Sequence, residues 1–219
     1  MEYRIPSTDI KFLLKVKMNQ EISPEQIVEN YNKFRSYCEK LGDRSEKVLA
    51  LVDSLGEQLA LCPASGKLEY HRATPGGLVE HSLRVLSNAV KLTKEFGWSN
   101  SYSKESLIIS SLFHDIGKVG LPSPEGWTPY YIPQESEWHR EKLGEMYKHN
   151  DKMPYMTTQQ RSVFIMQYYG INLKYDEYLA ILLNDGWVVQ ENKPYCLKEP
   201  PLAHVIMTAD YISTTQEKQ

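Results

Sequence analysis

Four residues of this chain combine the side chains and settings that metal-assisted chemistry needs. In "SSLFHDIGKVG", residues 110–120, His114 and Asp115 follow directly on an apolar run that ends at Leu112 and Phe113. Burying either group alone costs several kcal/mol, roughly, unless something pairs with it. A divalent cation pairs with a neutral imidazole and a carboxylate together, turning two liabilities into ligands. One adjacent pair cannot fill a coordination shell, so further donors should come from buried faces of other helices. His81, in "GGLVEHSLRV", shares a helical stripe with Leu78, Val85 and Leu92. Taken alone, a histidine there is more often a satisfied core residue than a ligand. Asp210, in "LAHVIMTADYIST", is an acid on an otherwise apolar helix face, and such acids are more often functional than idle.

The elements that must position these residues punctuate themselves. Ser23, Pro24 and Gln26 read as N-cap, first helical residue and capping box of a helix that Gly42 stops. Residues 43–61 repeat the three-and-four spacing as its antiparallel partner, up to Pro63. After the loop "CPASGKLEYHRATPGG", the period resumes over 78–96, and Ser103 opens a helix that ends at the HD pair. Residues 117–135, with four prolines and three glycines, read as an irregular functional loop or lid. Short helices are expected over 136–148, from Thr157 or Thr158 to Gly170, and over 175–184, with a hairpin or extended excursion at "VVQENKPYCL". The last helix is expected over 201–216.

The three motifs, in this order and each on its own helix, resemble the HD-domain metal-dependent phosphohydrolases, over about residues 68–215. The resemblance implies an all-α helical bundle, residues 68–219, with an N-terminal helical segment, residues 1–67, packed on it. It implies that His81, His114, Asp115 and Asp210 are metal ligands, with Asp115 also catalytic. Two imidazoles and two carboxylates suit Mn²⁺, Fe²⁺, Co²⁺, Ni²⁺ or Zn²⁺, with positions left for water and a phosphoryl oxygen. Some members hold a second metal through extra histidines. His139, in "SEWHREKLG", matches one such position, but the other reads Asn184, before Asp185, in "LLNDGW". A neutral amide is a poor transition-metal ligand, so one tight site is the expectation.

Lys118, three residues after Asp115, is placed to reach a phosphate, as the lysine of the family's HDxGK pattern does; its plainer role answers a helix dipole. Arg84 could fork a non-bridging oxygen or make a surface salt bridge. His71 and Arg72 precede the His81 helix in "YHRATPGGLVEHS", a stretch similar to the HD domain of certain 3′-to-5′ exoribonucleases, and could contact substrate; so could His139. Trp127, Tyr130, Tyr131 and Trp138 gather around the long loop, able to stack on a base or to form a satellite apolar cluster.

Composition narrows the activity. The chain has 219 residues, 41% of them hydrophobic, and a net charge of −3 from 25 basic and 28 acidic residues. That charge, well mixed, argues weakly against long nucleic acid and for a nucleotide or small phosphorylated substrate. Cys38, Cys62 and Cys196 form no C-x-x-C pair, which fits a reducing compartment. The stretch "MEYRIPSTDIKFLLKVKM" lacks signal-peptide character, and no run suits a membrane span, so a cytoplasmic protein is expected. The main expectation is a nucleotidase or nucleoside triphosphate hydrolase. A 3′-to-5′ exonuclease or cyclic-nucleotide phosphodiesterase, and a non-catalytic nucleotide-binding module, are the alternatives; self-association stays open.

Overall fold

The computed structural model describes residues 21–218, so the N-terminal stretch read above against a signal peptide lies outside it. Helix α1 (Pro24–Cys38) starts where Ser23 Oγ accepts the Gln26 amide at 3.2 Å. Only half of the expected capping box forms, because the Gln26 amide turns forward to Glu29 and Asn30. The helix also ends four residues before Gly42, which instead opens a 3₁₀ turn into α2 (Ser45–Leu55). The single helix expected over 43–61 breaks at Gly56, whose φ of 47° and ψ of −120° lie far from helical values. Only glycine adopts such a backbone cheaply, and a short helix α3 (Glu57–Leu61) follows.

Beyond it come α4 (Gly77–Glu95) and α5 (Lys104–Phe113), the latter capped by Ser103 as its sequence suggested. Then follow α6 (Glu137–Leu143), α7 (Thr158–Tyr168), α8 (Tyr175–Leu182) and α9 (Pro201–Glu217). The loop after the HD pair is more ordered than its prolines suggest. Strands β1 (Leu121–Ser123) and β2 (Gly126–Thr128) form one antiparallel pair, with Pro122 opposite Trp127. Strand β3 (Tyr131–Pro133) pairs with β4 (Tyr147–His149), so residues expected to extend α6 are strand instead. Gly144, left-handed at φ 60°, stops α6 early. Residues 188–197, expected as a hairpin or extended, instead lie mostly in 3₁₀ turns, Gly186–Val188 and Gln190–Tyr195. The strands are two-stranded ribbons at the edge of what is an all-α fold.

Helix α4 is the spine, packing against α9 and α5. Its buried face carries Leu78, His81, Val85 and Ala89. The first three helices belong to the same core: Phe34 of α1 meets Phe113 of α5 edge-on at 5.4 Å, and Leu51 and Leu59 are wholly buried with them. Each such side chain contributes about 1.5–3 kcal/mol. A polar contact adds to the packing of α9 on α4, the Asn88 amide donating to Ser213 Oγ at 2.9 Å and to Gln216 Oε1 at 3.0 Å.

The turn after the HD pair is clamped by α7. Ser162 Oγ accepts the Gly117 amide at 2.9 Å and donates to the His114 carbonyl at 2.9 Å, while Arg161 Nε donates to the Gly117 carbonyl at 2.7 Å. A Cβ at Gly117 would stand 2.2 Å from the Thr158 carbonyl oxygen. Glycine is required there because two backbones touch.

Arg44, leading into α2, meets the buried Glu177 of α8 at 2.6 Å, and the same carboxylate oxygen caps α8 through the Lys174 amide at 2.8 Å. Burial opposes the charge on Glu177, but Arg44 and the amide outweigh it and hold its pKa below the ordinary 4.5. The pair therefore stabilises fully above about pH 4.5 and its contribution drains away as pH falls further. Replacing Glu177 with Ala should cost about 3 kcal/mol, because it removes the closest partner of Arg44, leaving only the longer contacts to Glu105 and the Asn172 carbonyl, and uncaps α8; Tm should fall by roughly 6–12 °C. Thermal melts at pH 7 and pH 4 check both points: the gap between wild type and variant should narrow at the lower pH.

Candidate metal centre

The centre is assembled from three helices. His114 caps α5 with helical backbone, and its Nδ1 lies 2.9 Å from the Ser111 carbonyl, so that nitrogen carries the proton and donates it. The lone pair is then left on Nε2. His81 enters from the first turns of α4 and Asp210 from α9. His81 Nε2 lies 3.0 Å from Asp210 Oδ1 and 4.0 Å from Asp115 Oδ2; His114 Nε2 lies 3.5 Å from Asp115 Oδ2 and 3.9 Å from Asp210 Oδ1. The two rings are 5.4 Å apart between centroids.

Neither Nε2 makes a well-formed hydrogen bond, although both are buried. At 3.0 Å the Asp210 contact with His81 is close, but its direction leaves the ring nitrogen unsatisfied. Four donor atoms that converge without bonding one another leave room for a cation between them. The residues therefore fit the metal that their chemistry implies: a mixed nitrogen and oxygen set, acceptor atoms inward, and nearly no solvent.

Electrostatics enforce the same conclusion. Burial opposes a charge on Asp115, yet Lys118 Nζ at 2.6 Å, with His114 and His81 nearby, holds its carboxyl well below the usual range. Burial likewise works against the Lys118 ammonium, and Asp115 more than restores it, so the lysine stays protonated. For His81, burial disfavours the charged ring, but Asp210 and Glu217 prevail and, with no cation between the ligands, hold its pKa up at about 10.

The other residues singled out by sequence divide into two groups. His71 lies beside the centre, its ring 4.8 Å from that of His81 and its Nε2 buried without a partner. Burial, then the charge of Lys118, pushes its pKa down to about 2, so this imidazole is neutral. Asp185 sits in the field of Asp115 and Asp210, accepts the Gln159 amide at 2.6 Å, and is raised by burial and by Asp115. Asn184 beside it is buried, with both amide atoms unsatisfied. Arg84 and Arg72 are turned to acids: Arg84 Nε to Glu217 at 3.1 Å, and both guanidinium groups to Glu80 at 2.9 Å. Arg72 holds a left-handed backbone, φ 45°, to do so.

His139 bonds Ser136 and meets Trp138 edge-on. Among the described residues, the clusters of three or more donors are His81 with His114 and Asp115, and His71 with His81 and Glu217; neither includes Asp210, which joins through its contacts with the two histidines, nor His139 or Asp185. Of the loop aromatics, Trp127 stacks on Tyr169 and Tyr130 on His149, while Tyr131 faces the Lys118 side. Glu217, whose carboxylate lies 2.9 Å from His81 Nδ1, was not picked out from sequence. The readable signal was its place seven residues, two helical turns, after Asp210 on one face of α9.

Because a proton on His81 competes with the cation, apparent metal affinity rises with pH for as long as that proton must be displaced. The range around the ordinary histidine value, about pH 6–7, is what the sequence suggests; the two flanking carboxylates extend it upward. Chelator competition titrations with Mn²⁺ should show affinity still climbing between about pH 7 and 9, and a chelator should lower Tm at each pH.

The HD domain family matches residues 78–215, well over half of the chain. No curated protein and no solved structure matches it. No described helix is long and apolar enough to cross a membrane. The matched span begins three residues before His81, contains the HD pair, and closes five residues after Asp210, so it encloses all four converging donors. This chain belongs to the HD-domain family of metal-dependent phosphohydrolases.

Proposed function

We propose that the substrate is a nucleotide, hydrolysed at a phosphomonoester or phosphoanhydride bond. The observation that carries this reading is the cavity on which Lys118 opens. It has a volume of about 330 Å³ and is lined by Lys118, Tyr131, Tyr147, Pro63, Pro129 and Gln58, among others. Lys118 links this cavity to the metal centre, since its ammonium meets Asp115 at 2.6 Å; His81, His114, Asp115 and Asp210 do not line the cavity and Glu57 does, while its aromatic and proline faces suit a flat base carried on a phosphate.

His81, His114, Asp115 and Asp210 are the residues that would hold the cation. When bound there, a divalent cation supplies Lewis acidity toward phosphoryl oxygens and lowers the pKa of water. The chain's own groups supply the rest. Asp115 keeps Lys118 charged and aimed, and the ammonium takes a non-bridging oxygen, stabilising charge that grows in the transition state. His71, neutral and facing His81, offers a hydrogen bond without adding charge. Asp185, raised by burial and by Asp115 and held by the Gln159 amide, adds a second acid beside the centre. Arg84 and Arg72, already engaged by acids, brace the site instead of forking the phosphate. One metal suffices for this arrangement, and Cys38, Cys62 and Cys196, all unpaired, fit a cytoplasmic setting.

An assay with Mn²⁺ against mononucleotides, nucleoside triphosphates, cyclic nucleotides and short RNA tests the reading. Turnover is expected with the first two. Hydrolysis confined to RNA or cyclic diesters would replace it with an exonuclease or phosphodiesterase, and saturable binding without turnover would replace it with a binding module. Lys118→Met should lower kcat by about 10²–10³-fold while metal retention persists.

A further inference from the structure

We propose that Glu217 is a positioning residue of the metal centre: its carboxylate, held by Arg84, fixes the His81 ring so that Nε2 faces Asp115, His114 and Asp210. The proposal rests on the family's metal chemistry and not on which phosphate compound is the substrate.

The side chain of Glu217 is completely buried, and each of its oxygens has one partner. Oε2 lies 2.9 Å from His81 Nδ1, and Oε1 accepts from Arg84 Nε at 3.1 Å. The two ligand histidines are thus oriented by different devices. His114 is steered by a carbonyl of its own helix, three residues back. His81 has no such local acceptor recorded at Nδ1 and relies on a carboxylate 136 residues away in the chain.

The location is an unfavourable one for an acid. Glu217 is the last residue of α9, where the helix dipole repels negative charge, and it is removed from water. A purely structural contact at that point would be better served by an apolar or basic side chain. What the carboxylate provides is a charged acceptor for Nδ1–H, stronger than a neutral oxygen, which places the imidazole proton on Nδ1 and leaves the Nε2 lone pair for the metal. The ion pairs then continue outward in alternating sign, from Glu217 to Arg84, Glu80 and Arg72. They tie the carboxylate to the loop that precedes α4. Asp210 and Glu217, two turns apart, make α9 the source of both a ligand and the group that aims another ligand.

The test compares wild type, Glu217→Gln and Glu217→Ala for Co²⁺ affinity, by chelator competition at one fixed pH, and for the visible absorption bands of the bound Co²⁺. Asn88→Ala serves as control, because it removes a different polar contact between α4 and α9 without touching His81, Asp210 or Glu217. Affinity is expected to fall by about 10–100-fold in Glu217→Ala with altered bands, and by less in Glu217→Gln, which retains an oxygen acceptor for Nδ1–H. Asn88→Ala should melt earlier yet bind Co²⁺ as wild type does. Equal affinities and spectra in wild type and both Glu217 variants would overturn the proposal, as would equality of wild type and Glu217→Gln should the Ala variant fail to fold. An Asn88→Ala protein that lost Co²⁺ as severely as Glu217→Ala would also overturn it, by reducing the effect to general loosening. Hydrolysis is not read in this experiment, so failure of the nucleotide reading is a separate result.

Discussion

Two carboxylates and two imidazoles meet inside this protein at distances where, without a cation, they cannot all be satisfied. Asp115 and Asp210 would repel one another, and both ring nitrogens that face them are unbonded. A divalent cation bound there would relieve that repulsion and satisfy those nitrogens, which would link metal binding to stability. His81 illustrates the coupling: the flanking acids that make it a good ligand also make it retain a proton when no metal is present.

The rest of the fold is arranged to keep that cluster from relaxing. Helix α9 packs along α4, which puts Asp210 opposite His81. Helix α7 seizes the HD turn through Ser162 and Arg161, and leaves no room for a side chain at Gly117. Arg161 is itself buried, with its guanidinium 3.8 Å from the centroid of the Tyr130 ring. That stack gives Tyr130 a structural task, while its neighbour Tyr131 lines the cavity beside Lys118. A loop rich in proline thereby becomes part of two short ribbons with defined faces, one of which lines that cavity through Tyr131 and Tyr147.

Several of these features were readable in advance and several were not. The helix starts at Ser103 and Thr157 follow from local side-chain-to-backbone hydrogen bonds, which need only neighbouring residues. Helix stops were read less well. Gly42 looked like the end of α1 but belongs to the following turn, and Gly56 splits what looked like one helix, because a glycine permits a break without showing where the chain will take it. Residues 147–149 became a strand by pairing with residues 131–133, a partner that no local pattern announces.

By itself, the sequence determined the kind of chemistry: apolar periodicity places His81, the His114–Asp115 pair and Asp210 on separate buried helix faces, and the cost of burying them unpaired points to a metal. That inference is local, because periodicity and desolvation depend on each residue and its near neighbours. The tertiary structure alone decided which charges face which. It engaged Arg84, which the sequence left as either a phosphate fork or a salt-bridge partner, with Glu217, and brought the last turn of α9 back onto α4, because ion pairs between residues more than a hundred positions apart depend on helix register and approach that no spacing in the chain encodes.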